Sequence, residues 1–196
     1  MHTLLAYADD AGFDAGALRR QNAAEFRRLY DALAPELGRY LARLCGDPDQ
    51  AQDLLQETFV KAYRALPRTR AGLAPRPWLY KIATNAARSA ARRAYWKRVL
   101  TFGSGPPDPP DPAGMGFESR YAEAELVERA LAAIKPGYAA PLLLHWREGF
   151  DIDELCDILG LSRHNLKKRL YRAKKAFAAA YAHECARSEG GEGGLP

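Results

Sequence analysis

Asn85, Arg88, Arg92 and Arg93 recur at spacings that a helix gathers onto one face. Arg163, His164, Asn165, Lys167, Lys168 and Arg169 make a second polar, basic group near the other end of the chain. Arginine and lysine neutralise phosphates wherever they meet them, whereas asparagine and arginine can also make paired hydrogen bonds to base edges. The chemistry on offer is therefore recognition of a nucleic acid rather than the making or breaking of bonds. Asn85 can equally be an ordinary surface amide, and His164 an ordinary surface imidazole, on residue type alone. Nothing in the chain resembles a glycine-rich phosphate cradle, a zinc-ligand spacing or a pair of catalytic carboxylates. The histidines are scattered at 2, 145, 164 and 183, and His183 with Cys185 supplies only two ligands, too few for a structural zinc site. No catalytic residue, metal or cofactor is expected.

The elements that carry these groups follow from the periodicity. Residues 76 to 98 read as a helix opened by Pro77, with Trp78, Leu79, Ile82 and Ala86 inward and Lys81, Asn85, Arg88 and Arg92 outward. Arg93, Lys97 and Arg98 extend the positive strip, while Tyr95 and Trp96 suit either stacking on a base or closing the bundle. Between positions 67 and 98 there are nine Lys/Arg and no Asp/Glu. Before that helix, apolar positions from Phe26 to Leu44 recur at helical spacing, with Pro35 predicting a kink or short break. A second helix over 49–66 presents Asp53, Gln56, Glu57, Lys61 and Arg64 outward. A loop carrying Arg68, Arg70 and Gly72 joins it to the basic helix.

Near the C-terminus the pattern repeats in a different form. Asp151 caps a short helix with Ile152, Leu155, Cys156 and Leu159 inward; Gly160-Leu161-Ser162 makes a turn; and Ser162 caps a last helix with Leu166, Leu170, Ala173 and Phe177 inward. Residues 161 to 182 hold seven basic and no acidic side chains. Short helix, glycine turn and capped basic helix together are a helix-turn-helix signature. Cys156 fits the close approach of the two helices by its size. Asp151, Asp153, Glu154 and Asp157 form an acidic cluster, either a solvated face or a surface for a basic partner.

The totals set bounds on this. A chain of 196 residues with a net charge of +5 holds one ordinary domain or two small ones, and the excess charge sits in the two basic blocks. Residues 101 to 116 include five prolines and four glycines, a composition that cannot bury enough apolar area to order itself. The expected fold class is therefore all-α: two small helical domains joined by a flexible linker, the second containing the helix-turn-helix. The boundaries are a leader over 1–21, a first body over 22–98, a Pro/Gly-rich linker over 99–120, a second body over 121–183 and a disordered tail over 184–196. Three cysteines without paired spacing predict a reducing compartment, and no apolar run is long enough to cross a bilayer. A soluble, cytoplasmic protein without stable membrane insertion is expected.

Taken together, the strings D-L-L-Q-E-T-F-V-K-A-Y-R, R-P-W-L-Y-K-I-A-T-N-A-A-R-S-A-A-R-R, I-K-P-G-Y-A-A-P-L-L-L-H-W-R-E-G-F, D-E-L-C-D-I-L-G-L-S and L-K-K-R-L-Y-R-A-K-K resemble the sigma-70 family. The resemblance is to the extracytoplasmic-function group of transcription initiation factors, which keep only regions 2 and 4. It covers about residues 22 to 98 and 121 to 181. The resemblance implies a factor that binds core RNA polymerase, directs it to specific promoter DNA and helps melt the −10 region on the nucleoid, with an anti-sigma factor as a further partner. By that likeness Asp53, Gln56, Glu57 and Lys61 face the polymerase. Arg68, Arg70 and Asn85 hold an extruded base, and Arg88, Arg92 and Arg93 contact the −10 DNA. Arg163, His164, Asn165, Lys167, Lys168 and Arg169 read the −35 element.

The chain departs from the family pattern at Ser89, where an acid is usual, and at His164-Asn165-Leu166, where Gly-Thr-Val is usual. Pro141 near a helix start is also unusual. The change at His164 and Asn165 bears on which promoter is read rather than on the mode of docking, whereas loss of the acid at 89 bears on a buried contact or on how the basic helix sits. Two rivals keep part of the pattern: a sigma-like decoy for an anti-sigma factor, and a stand-alone helix-turn-helix regulator.

Overall fold

The computed structural model describes residues 12–102 and 120–190, with side chains over 12–94 and 123–188. All the regular structure among these residues is helical. The first body comprises α1 (Ala15–Arg19), α2 (Ala23–Cys45), α3 (Pro48–Ala65), a 3-10 turn (Leu66–Arg68) and α4 (Pro75–Phe102). The second comprises α5 (Arg120–Ala133), α6 (Pro136–Leu142), a π-helical turn (Leu143–Arg147), α7 (Ile152–Leu159) and α8 (Arg163–Gly190).

Side-chain caps set the helix starts. Asn22 accepts from the Glu25 amide at 3.0 Å to open α2, and Asp47 accepts from the amides of Asp49 and Gln50 at 3.0 and 3.1 Å to open α3 behind Pro48. Each satisfies amides that the first turn of a helix leaves without partners. Gly46, with φ of 68°, closes α2 in the left-handed conformation that glycine adopts without strain. Leu29, Leu37, Tyr40 and Leu41 of α2 then meet Leu54, Phe59 and Ala62 of α3 and Leu79, Ala83 and Ala86 of α4 in the core.

Four expectations need correction. Pro35 breaks nothing: α2 runs unbroken across it, because the proline is exposed and water can reach the carbonyl that loses its helical donor. The leader is not uniformly separate: α1 lies within it and seats Leu18 in the core at 0% exposure, so its apolar side chain supplies the energy that orders it. Residues 184–190 are not disordered, since α8 continues through Gly190 and buries the Glu184 side chain, with Arg187 and His183 beside its carboxylate. Pro141 does not lie in a first turn: α6 opens at Pro136 and places Pro141 in its interior. The carbonyl of exposed Gly137, four residues back, is left to solvent. An i→i−5 bond, from the Glu148 amide to the Leu143 carbonyl at 3.0 Å, takes over just beyond it. The leader up to residue 11 and the linker over 103–119 lie outside the described residues, as do the side chains of Tyr95, Trp96, Lys97 and Arg98.

The two bodies pack on each other, and their buried side chains form one continuous cluster. At the contact Arg76, near the start of α4, lies buried at 9% exposure. Its Nε donates to Glu36 at 3.0 Å, and its Nη2 donates to the backbone carbonyl of Glu148 at 2.9 Å. The guanidinium stacks over Phe150, 4.4 Å from the ring centroid. Tyr80 donates its hydroxyl to the Glu148 carboxylate at 2.5 Å. A chain of rings, Tyr40 to Tyr80 to Phe150, passes from one body to the other at centroid spacings of 5.1 and 4.9 Å. Further along, Arg43 of α2 pairs with Glu128 of α5 at 2.8 Å. Loss of water raises the carboxyl pKa of Glu148 above its ordinary value, against the lowering effect of the Tyr80 hydrogen bond and the nearby guanidinium.

Leu18→Ala is expected to lower unfolding free energy by about 3 kcal/mol, measured by urea denaturation. A loss below about 1 kcal/mol, too small for a buried leucine, would show that α1 is not docked.

Candidate nucleic-acid interface

The outward face of α4 is built by subtraction. Leu79, Tyr80, Ala83, Thr84, Ala86 and Ala87 are buried, and the exposed polar side chains are Lys81, Asn85, Arg88, Arg92 and Arg93. The buried stripe is wider than periodicity suggested because the helix is covered from two sides, by α2 and α3 on one and by α6 and α7 on the other. Small residues at 83, 86 and 87 permit that close double packing. Thr84 is accommodated by donating to the Tyr80 carbonyl at 2.7 Å and meeting the Tyr40 hydroxyl at 2.8 Å.

The loop before α4 shapes a cleft of about 680 Å³ lined by Arg68, Arg70, Trp78 and Lys81 with residues 71 to 74. Two bonds fix its entry: Thr69 gives both its amide and its hydroxyl to the Leu66 carbonyl, at 3.1 and 2.7 Å. Gly72 turns the chain at φ of 74°, a conformation that disfavours any side chain. An indole face and three cations around one opening suit a base with its phosphates. Asn85 lies one helical turn beyond Lys81, exposed and outside this lining. The far wall of the cleft comes from the other body, through Asp157 and Ile158 of α7, which no local signal in the sequence connects with the loop.

A second cleft, about 460 Å³, is lined by Arg88 of α4, by Lys135 and Tyr138 at the start of α6, and by Asn165, Lys168, Arg169 and Arg172 of α8. Arg88 is thus brought together with three of the side chains assigned to the −35 element. Arg92 and Arg93 are exposed farther along α4. Lys135 and Tyr138 join only through folding, whereas Arg172 was legible as one of the seven basic residues of its block.

The turn that presents α8 is well specified. Asp151 accepts from the amides of Asp153 and Glu154 at 2.8 and 2.9 Å, and the Glu154 carboxylate accepts from the Asp151 amide at 2.8 Å, completing a capping box. Gly160 closes α7 at φ of 64°, and Ser162 accepts from the Asn165 amide at 3.3 Å to open α8. His164, Asn165, Lys167 and Lys168 stand exposed on its first turns and Arg169 is half-buried. Arg163 holds Asp153 at 2.7 Å, a solvent-exposed pair that a phosphate can replace at little cost. The acidic cluster therefore divides: two members cap, one pairs with Arg163, and Asp157 faces the first cleft.

The face of α3 opposite its core carries Asp53, Gln56 and Lys61 exposed and Glu57 half-buried, with Lys61 against Glu57 at 2.5 Å. The surprise on this face is apolar: Val60 is 49% exposed at its centre. Tyr63 and Tyr30 are exposed beside it, in a group of rings with Phe26 and Phe59. An exposed aliphatic and aromatic patch ringed by charges is the composition of a protein-binding surface. Neither Val60 nor Tyr63 is among the outward residues that periodicity assigned to this helix.

Comparison with known proteins bears on both halves. Residues 29–97 match the family model for Sigma-70 region 2, and residues 124–177 match that for Sigma-70, region 4. The ECF RNA polymerase sigma factor SigL of Mycobacterium tuberculosis is 31% identical over 159 residues, covering 79% of this chain and 88% of that protein. RNA polymerase sigma factor CarQ of Myxococcus xanthus is 32% identical over 154 residues, covering 75% and 83%. In fold, the chain is similar to the sigma factor RpoE solved with the anti-sigma factor NepR from Bartonella quintana, with a TM-score of 0.63 at 22% identity over 79% of this chain and 95% of that one.

Asp151→Ala is expected to remove about 1 kcal/mol of stability through loss of the α7 cap, with Asp151→Asn restoring most of it. Thermal melts of the three proteins check this; equal losses for Ala and Asn would assign the effect to charge instead.

Proposed function

Because the chain belongs to the sigma-70 family of RNA polymerase initiation factors, in its extracytoplasmic-function group, we propose how its surfaces divide the work of directing core polymerase to promoters. The outward strip of α3, Asp53, Gln56, Glu57 and Lys61 around exposed Val60, meets the polymerase. The loop cleft with Arg68 and Arg70 receives a base extruded from the −10 element, and Asn85 reads it. Arg88, Arg92 and Arg93 hold the adjoining backbone. The first turns of α8, from Arg163 through Arg169, enter the major groove of the −35 element. An anti-sigma factor is a further partner, a reading supported by the complex in which the similar fold of RpoE was solved.

The observation that carries this reading is the pair of one-signed basic faces, each exposed on a helix inside a matched region. Binding at two such faces gives a factor its affinity through phosphate neutralisation, and the Asn and Arg side chains add discrimination. Melting then follows from differential binding: the open strand gains contacts in the cleft that the closed duplex lacks, so the equilibrium shifts without a catalytic group. The protein is in this sense an initiation factor that works by binding energy alone, acting in the cytoplasm on the nucleoid. Among the described residues no helix is long and apolar enough to cross a membrane.

Run-off transcription with core polymerase over a pooled promoter library tests the function. Discrete new starts that share upstream elements are expected. No starts despite core binding would favour the decoy, for which the departures at Ser89 and 164–166 speak. At a promoter so found, Arg92→Ala is expected to weaken binding across sequences alike and to reduce the salt slope by about one. Asn85→Ala is expected to act on open-complex formation, read by permanganate reactivity of unpaired thymines. Unchanged melting in that variant removes Asn85 as the base reader.

A further inference from the structure

We propose that the second cleft, formed by α4, the start of α6 and α8, is a binding site for a nucleoside polyphosphate. The folded cleft carries this by itself, whichever promoter element its residues read.

Arg88, Lys135, Lys168, Arg169 and Arg172 line one opening of about 460 Å³, and no carboxylate lines it with them. Elsewhere the chain answers its cations. Arg43 meets Glu128, Lys61 meets Glu57, Arg76 meets Glu36 and Arg163 meets Asp153, and Asp157 stands in the wall of the loop cleft. Among the described residues none of the five cations of this cleft has an ion-pair partner. Like charges drawn together by folding repel one another, and a cleft lined by one sign of charge focuses the field and concentrates anions within it. The compensating charge therefore comes from solution.

Size and charge select the anion. A volume of about 460 Å³ falls in the range of roughly 300–1,000 Å³ that suits a small ligand. Duplex DNA spreads its charges along an axis, about one per 1.7 Å, and is met by cations set out along an open face; here they surround one opening from both bodies. A single phosphate monoester carries a charge of about −1.5 to −2, so five cations match a chain of three or more phosphates. Three of the five are arginines, whose guanidinium forks take phosphate oxygens in pairs.

Two further lining residues are uncharged: Tyr138, half-buried, and Asn165, exposed. A phenol ring is a stacking platform for a base, and an asparagine amide pairs donor and acceptor with the edge of adenine. An inorganic polyphosphate uses neither. Cations for the phosphates, with a ring and an amide for the base, make an adenine nucleotide the ligand of best fit.

The test is isothermal titration calorimetry of the full chain with ATP and with inorganic tripolyphosphate, in magnesium-free buffer at about 0.15 M ionic strength, where well-separated exposed charges are screened. The variants lie outside the set assigned to promoter DNA, and each is first checked for wild-type helicity by circular dichroism. Wild type is expected to bind one ATP per chain. Lys135→Ala and Arg172→Ala, both at exposed positions, are each expected to weaken ATP at least about tenfold, the lower end for a hydrogen bond to a charged group. Lys175→Ala removes an exposed cation of α8 outside the cleft and is expected to bind as wild type does. Tyr138→Leu is expected to weaken ATP at least about fivefold, the lower end for stacking of one base, while tripolyphosphate binding stays unchanged. Several ATP molecules per chain, or a loss in Lys175→Ala equal to that in Arg172→Ala, means an adventitious ion only and overturns the site. Equal effects of Tyr138→Leu on ATP and tripolyphosphate overturn the nucleotide in favour of inorganic polyphosphate. A short thymidine oligonucleotide that binds more tightly than ATP, and loses that affinity in Lys135→Ala and Arg172→Ala, assigns the cleft to a nucleic-acid strand and overturns the proposal.

Discussion

A guanidinium withdrawn from water has to be given partners, and most of the architecture follows from how Arg76 is given them. Burying an unpaired charge costs several kcal/mol, and removing one member of a buried pair costs about 3–5 kcal/mol. Arg76 draws Glu36 from α2, the Glu148 carbonyl from the turn after α6, and the faces of Tyr80 and Phe150. Two segments distant in sequence are thereby fixed around the first turn of α4. The orientation of α4, and so the direction in which its basic face points, depends on that one side chain being satisfied.

The same helix carries two loads on opposite sides. Its small residues, Ala83, Ala86 and Ala87, let backbones approach closely, while its long cationic residues extend into solvent. The first half of α8 divides in the same way: Leu166, Leu170 and Ala173 are buried, and its lysines and arginines lie outside with His164, Asn165 and Tyr171. Helical periodicity makes this division inexpensive, because i, i+3 and i+4 positions share a face. Recognition is thus distributed over two rigid rods whose cores are independent of the side chains that touch a ligand. Under the proposed function, changes at positions such as His164 and Asn165, both exposed, alter what is read without disturbing how the rod is held.

Polarity is the other theme of the contact between the bodies. Its apolar part joins the small side chains of α4, buried Ile158 of α7 and the rings of Tyr40, Tyr80 and Phe150; its centre is ionic and hydroxylic. A wholly apolar interface would hold the halves together more firmly and keep the two basic faces in a common cleft. The charged groups at its centre make it more polar than an obligate interface, as contacts between domains are. The π-helical turn that delivers Glu148 belongs to the same device, since its wider bonding places the carboxylate inward, while Trp146 stays largely exposed beneath Lys174, whose Nζ lies 4.9 Å from the ring centroid.

The helices, their caps and their basic faces were legible in the sequence because each is set within a few residues. Asp47 with Pro48, Asp151 with Glu154, Gly160 and Ser162 announce their roles by type and spacing, and so do the inward leucines of α2 and α8. The candidate site was legible to the same depth: which cations lie on which helix face. Hidden were Arg76, lost among nine basic residues; Glu148, a single acid after an apolar run; Tyr80; and the approach of Asp157 to Arg68 and Arg70. These depend on pairings across 40 or more positions of chain, for which neither periodicity nor capping leaves a mark. Sequence alone determined the rods and the charges they carry, through interactions between neighbours in the chain; only the tertiary structure decided how the rods meet, because burial of a charge is a property of everything that surrounds it.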